Sequence, residues 1–234
     1  MLFRRIIFNA LLVGLVAGVL LSVLQFVAID DIIIGAEQYE AAVEESAGPI
    51  SQWEPDDGLQ RTALTLASNI FAGIGFSAVL LALMSQLQSQ GIAKLNTFKG
   101  FLWGLAGFTV FFAAPGIGLP PEIPGVDAAP LQQRQLWWLL AVICVGGGLL
   151  LLAFAQNKFK PLGGVSLFVP YLVGAPHHDG PAFSHSDLAV IESLNALHHE
   201  FILASGLSNL VFWVVLGSAC AWALNRWVLV DEYS

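Results

Sequence analysis

Six stretches of the chain contain no Asp, Glu, Lys or Arg: residues 6–29, 62–93, 100–121, 135–157, 161–178 and 201–225. A helix rises 1.5 Å per residue and needs about 20 apolar residues to cross about 30 Å of hydrocarbon. Five of the stretches meet that length. The sixth, 161–178, sits at its lower limit and carries Pro170 and Pro176, so it either crosses or dips in and returns. Lipid offers no partner to open backbone, and these runs are too long and too uniformly apolar for alternating barrel strands. The pattern predicts an all-α polytopic membrane protein. It has five full-length transmembrane helices, over about 6–29, 62–84, 100–115, 135–156 and 201–225, plus a short Pro-broken apolar segment at 161–176. Residues 1–234 read as a single membrane domain with an acidic loop at 30–60 and a His-bearing segment at 177–200.

Composition sharpens this. Hydrophobic residues make up 56% of the chain and charged residues 11%, against about 25% charged in soluble domains, which excludes a purely soluble protein. Arg4-Arg5 followed by 24 uncharged residues reads as a retained first span, because the run is too long for a signal peptide and no small-x-small cleavage site follows. Cys144 and Cys220 both fall in spans, so no disulfide framework or CxxC knuckle is expected. Gly14, Gly18, Gly73, Gly75, Gly104, Gly107 and Gly146-Gly147-Gly148 also lie in spans. There small residues let helix backbones approach closely.

Basic residues near span ends set the expected orientation. With the N-terminus in the cytoplasm, Arg4, Arg5, Lys94, Lys99, Lys158 and Lys160 lie inside, and Arg61 and Arg134 outside. Arg226 joins the inner set only if 161–178 crosses, giving seven against two rather than six against three. The outer loop 30–60 holds nine carboxylates and no base, with Asp30, Glu37, Glu40 and Glu44 on one helical stripe and Ile32, Ala36, Tyr39 and Val43 opposite. This predicts an amphipathic helix on the membrane surface. Its acidic face either attracts cations or is simply solvated. Residues 115–130, rich in Pro and Gly, are expected to form a stiff non-helical outer loop with Glu122 as an exposed turn residue.

All five histidines fall within 23 residues: His177, His178, His185, His198 and His199. Imidazole suits Co, Ni, Zn and Cu, and nearby carboxylates can complete a mixed N/O set. His177, His178, His198, His199 and Glu200, with Glu37 and Glu40 of the acidic stripe, are the candidate metal contacts; the competing reading is loop decoration, with His198 a satisfied buried group. Enzyme motifs are incomplete: His199-Glu200 begins an HExxH pattern that ends in Leu203, and Gly73-Ile-Gly75-Phe-Ser77 has Val79 where a nucleophile elbow needs Gly. No GxxxxGK[ST] phosphate loop is present, and no carboxylate falls inside a full-length span. No permanently bound cofactor and no nucleic-acid partner are expected.

Several segments together resemble one known family: Ile34-Gly-Ala-Glu37-Gln-Tyr39-Glu40, Lys99-Gly-Phe-Leu-Trp103-Gly-Leu-Ala-Gly107-Phe, Gly118-Leu-Pro120-Pro121-Glu122-Ile-Pro124-Gly125, Arg134-Gln135-Leu-Trp137-Trp138, Gly174-Ala-Pro176-His177 and Phe212-Trp213. In order, and across nearly the whole chain, they resemble the predicted cobalt transporter subunit family CbtA. The resemblance implies a multi-pass protein of a prokaryotic cytoplasmic (inner) membrane, linked to cobalamin metabolism. It further implies cobalt, or nickel, as transported divalent cargo, and a small His-bearing membrane partner, CbtB, in the lipid bilayer. His178, His185, His198 and His199 lie outside the shared wording. Two rivals stand beside this reading: a non-transporting scaffold subunit of a membrane complex, and an intramembrane metalloenzyme.

Overall fold

The computed structural model describes residues 2–47, 58–185 and 187–229, the side chains of 40–47 excepted. Among the described residues all regular structure is helical, and five helices are long and apolar enough to cross a membrane: Leu2–Ala28, Leu59–Ser89, Thr97–Gly118, Leu131–Phe154 and Leu188–Val228. The protein is a multi-pass membrane protein.

Helix ends follow from side chains the sequence supplies. Helix α1 (Leu2–Ala28) breaks at Ile29, and α2 (Asp30–Ala47) restarts with Asp30 and Asp31 in its first turn, where negative charge meets the positive end of the helix dipole. Helix α3 (Leu59–Ser89) stops in a Schellman motif. Gly91 takes φ +71°, its N–H donates to Gln88 O at 3.0 Å, and Ile92 N–H donates to Leu87 O at 3.0 Å. Asn96 caps α4 (Thr97–Phe108), its Oδ1 accepting Lys99 N–H at 2.8 Å. Asp187 caps α9 (Leu188–Ala223) in the same way through Ala189 N–H at 2.9 Å.

The chain forms two compact units. The first contains residues 1–25, 53–108 and 208–234. Here α1 and α3 run antiparallel with backbones in contact: a side chain at Gly14 would collide with the backbone of Gly73 and Ile74, and one at Gly18 with that of Asn69 and Ile70. Polar groups stitch the same seam. Ser77 Oγ donates to Ala10 O at 2.8 Å, and Asn69 Nδ2 donates to Gln25 Oε1 at 2.6 Å and Ser22 Oγ at 3.1 Å. Ser77 is thus occupied in packing, not poised as a nucleophile. Helix α4 meets the last helix through Gly100, Gly104 and Gly217, with Trp213 seated on Gly107. At one end of the unit Arg5 Nη1 donates to Val228 O at 3.4 Å, so the start of α1 and the end of the last helix lie side by side.

The second unit contains residues 26–52 and 109–207. A π-helical turn, Thr109–Ala113, leads into the short α5 (Ala114–Gly118). Pro115 has no N–H to give back to the preceding turn, and a wider hydrogen-bond register lets later amides reach back instead. Residues 115–118 are therefore helical, contrary to the expected loop: the π-turn before Pro115 lets the helix that starts at Thr97 continue through it to Gly118. Helix α6 (Leu131–Phe154) packs antiparallel to this stretch, with Val110, Ala114 and Val145 in a common core.

The Pro-broken segment is a pair of short helices, α7 (Lys160–Ser166) and α8 (Val169–Val173), each with Pro in its first turn. They retrace α6 nearly end to end. Gly163 lies against Gly148, Leu151 and Leu152, Ser166 Oγ donates to Cys144 O at 2.7 Å, and Trp137 Nε1 donates to Pro170 O at 3.1 Å. The covered part of α6, from Leu152 back to Trp137, is about 22 Å long at 1.5 Å per residue.

Helix α2 departs from expectation too. Its apolar side packs on protein, not lipid: Ala36 is fully buried in a cluster with Ile123, Phe183 and Leu194, flanked by Ile32 and Tyr39.

Candidate functional site

Three of the segments singled out in the sequence meet in the second unit, around Trp137. A side chain at Gly118 would run into the Trp137 ring and stand 2.9 Å from Ala175 Cβ, so Trp137 and Ala175 both close on Gly118. Glycine is required at 118 because the indole fills the space a Cβ would take. Trp137 is also tied to α8 by its hydrogen bond to Pro170 O and by an edge contact to Tyr171, whose OH donates to Ala114 O at 2.9 Å. Arg134, one turn before Trp137, forms an ion pair with Glu122. Glu122 is therefore partly buried and paired, where the sequence suggests an exposed turn residue. Opposite charge on Arg134 offsets the cost of that burial.

The loop 119–130 and the His-bearing segment bind each other directly. Asp127 N–H donates to Ala182 O at 2.9 Å, Ser184 Oγ donates to Asp127 Oδ2 at 2.5 Å, and Phe183 and Ile123 share the core closed by α2 and α9.

The histidines divide by how their rings are held. His198 faces inward: its Nε2 contacts Pro121 O at 3.0 Å and its ring meets Phe183 edge-on. A carbonyl only accepts, so Nε2 carries the proton there. His185 is fixed the other way, Nδ1 accepting Asp187 N–H at 3.0 Å. His177 is exposed, with Nδ1 at 3.5 Å from Ala175 O and Nε2 at 3.6 Å from Asp179 Oδ1. His178 lies over Gly180, and His199 and Glu200 are exposed on α9. Glu37 is half-buried on α2; the side chain of Glu40, like those of Glu44 and Glu45, lies outside the described residues. Among the described residues no three His, Cys, Asp or Glu side chains converge as a metal cage.

Sequence reasoning names Asp179 only as one of several nearby carboxylates, with Asp187, Glu192 and Glu200, and misses Trp137 as the anchor of Gly118 and α8. A signal for Asp179 exists, since it stands one residue after a His-His pair. The Trp137 contacts join residues 118, 137, 170 and 175, and no local spacing reveals them.

Compared with known proteins, residues 3–225 match the family model described as Probable cobalt transporter subunit (CbtA). No curated protein and no solved structure matches the chain.

Proposed function

We propose, on the premise that this chain belongs to the CbtA family of probable cobalt transporter subunits, that it is the membrane subunit of a cobalt uptake system and that cobalt first meets it at the Trp137-anchored face. The family is one of transporter subunits, not of enzymes. The observation that carries the reading is the meeting of Gly118, Trp137 and Ala175, which gathers three family segments at the place where the histidines begin.

In this reading the N-terminus is cytoplasmic and the Trp137 face looks outward from a prokaryotic inner membrane. Two observations support it. Helices α7 and α8 retrace α6, which carries the chain from the Lys158 end back to the Arg134 end. Arg5 beside Val228 calls for an even number of crossings, which puts Arg226 with the inner basic residues, seven against two. Labelling tests this directly. A membrane-impermeant thiol reagent should reach cysteines placed at Leu131 and Leu188 on intact cells, and one at Gln90 only after permeabilisation. Labelling of Leu131→Cys but not Leu188→Cys on intact cells overturns the crossing.

His177, His178, His199 and Glu200 form the metal-facing segment, with Glu37 and Glu40 contributing negative charge from α2, while His198 is turned inward onto Pro121 O. Clustered carboxylates raise the local concentration of divalent cations, an effect screened beyond about 8 Å at physiological salt. Cobalt brought in this way serves cobalamin synthesis, and a small His-bearing membrane partner of the CbtB type brings further nitrogen donors to the same face.

A scaffold role is the second reading, favoured by the backbone contacts along α1 and α3. Cobalt accumulation separates the two. Cells lacking their own cobalt uptake should accumulate the metal when they express this chain with its partner, and not with the partner alone. Equal accumulation without the chain leaves the scaffold reading in place.

A further inference from the structure

We infer that His177 Nε2 and Asp179 Oδ1 form the first metal contact of the protein, a two-donor N/O site for a divalent transition-metal ion; this rests on the uptake reading and names the site within it. A metal-ligating histidine commonly donates its other ring N–H to a carbonyl or carboxylate, which fixes the tautomer and leaves a lone pair for the metal. His177 has that arrangement. Its Nδ1 faces the Ala175 carbonyl at 3.5 Å, a long contact that suits the tautomer with the proton on Nδ1 and the lone pair on Nε2. Nε2 then stands 3.6 Å from a carboxylate oxygen, and the two side chains are 82% and 99% exposed, open to an ion arriving from water.

The separation itself suits a metal. Two donors 3.6 Å apart subtend about 118° at an ion with bonds of about 2.1 Å, close to the tetrahedral angle. Without a metal the same two atoms are too far apart for a hydrogen bond.

The carbonyl that orients His177 is itself held. Ala175 packs on Gly118, which in turn lies against Trp137, and Trp137 is bonded to Pro170 O, so the chain leading to the ligand is anchored in the second unit's core. Two of the other four rings are committed elsewhere. His185 uses its Nδ1 lone pair on Asp187 N–H, which leaves its Nε2 protonated, and His198 uses Nε2 on Pro121 O inside the Phe183 cluster. Two protein donors leave the remaining positions of the ion to water, so the site captures and releases; it does not retain.

The test uses the purified full-length chain in detergent with Co2+ alone, following binding by the visible absorption of the ion. Tetrahedral Co2+ absorbs far more strongly than the six-coordinate aqua ion, so occupation of this site should appear as an intense visible band. His177→Ala and Asp179→Asn should each weaken binding about 10-fold or more and remove the band, whereas His185→Ala and His198→Ala should leave both within about 2-fold. Both ligands lie on the surface, so their replacement leaves the fold intact, which the elution profile checks. No saturable binding by the wild type, or wild-type binding by the double variant His177→Ala/Asp179→Asn, overturns the assignment. This readout needs no transport, so a failed site is distinguishable from a failed uptake reading, which cell accumulation tests.

Discussion

Replacing Gly14 by leucine is expected to leave no folded protein. At this position the backbone of α3 occupies the space that a Cβ would need, so the helices must part along their whole contact. In lipid, helix association rests on close van der Waals packing and interhelical hydrogen bonds. Separating α1 from α3 therefore also breaks Ser77 to Ala10 O and Asn69 to Gln25 and Ser22. The milder Gly14→Ala should cost about 1–3 kcal/mol, the usual range for overpacking. Gly75 and Gly147, where a Cβ would meet nothing within 4 Å, are the controls. Alanine there should change stability by no more than about 0.5 kcal/mol. Thermal unfolding in detergent, followed by the loss of the monodisperse elution peak, measures all four variants.

The second large effect is expected at Trp137. Trp137→Ala removes a 5% exposed indole that contacts Gly118 and Tyr171 and donates to Pro170 O. Truncating a buried Trp costs about 3–5 kcal/mol. Trp137→Phe keeps most of the packing and loses the donor, while Pro170 O still accepts Gly174 N–H at 3.0 Å, so the cost should be that of one hydrogen bond, about 0.5–1.5 kcal/mol. Because Gly118, which packs on the same ring, lies against Ala175, the alanine variant should also lose cobalt uptake, even at temperatures where it stays folded. Unimpaired uptake by folded Trp137→Ala separates the anchor from the metal path.

How far these features can be read in the sequence depends on how local their causes are. The five long helices are legible because a charge-free run is a one-dimensional signal with a length fixed by the bilayer. Glu122 is misread because its partner, Arg134, lies across a Pro-Gly loop whose path the sequence does not give. The apolar stripe of α2 is visible in the sequence, but its partners, Ile123, Phe183 and Leu194, come from two other segments and displace lipid from that face. The helical turn at Pro115 escapes a reading that counts proline as a breaker, because the π-turn at Thr109–Ala113 that accommodates it leaves no mark in the local sequence pattern. Among the histidines, sequence groups five rings that the structure separates by tautomer, since hydrogen bonds to Ala175, Pro121 and Asp187 decide which nitrogen is free.

Cobalt flux into sealed vesicles tests the central claim most directly. The purified chain is reconstituted with its partner in lipid vesicles, Co2+ is added outside, and the metal reaching a chelating dye trapped in the lumen is followed over time. The account predicts flux that saturates with outside cobalt and falls about 10-fold or more in the His177→Ala/Asp179→Asn variant. Flux no greater than that of vesicles carrying the partner alone contradicts it.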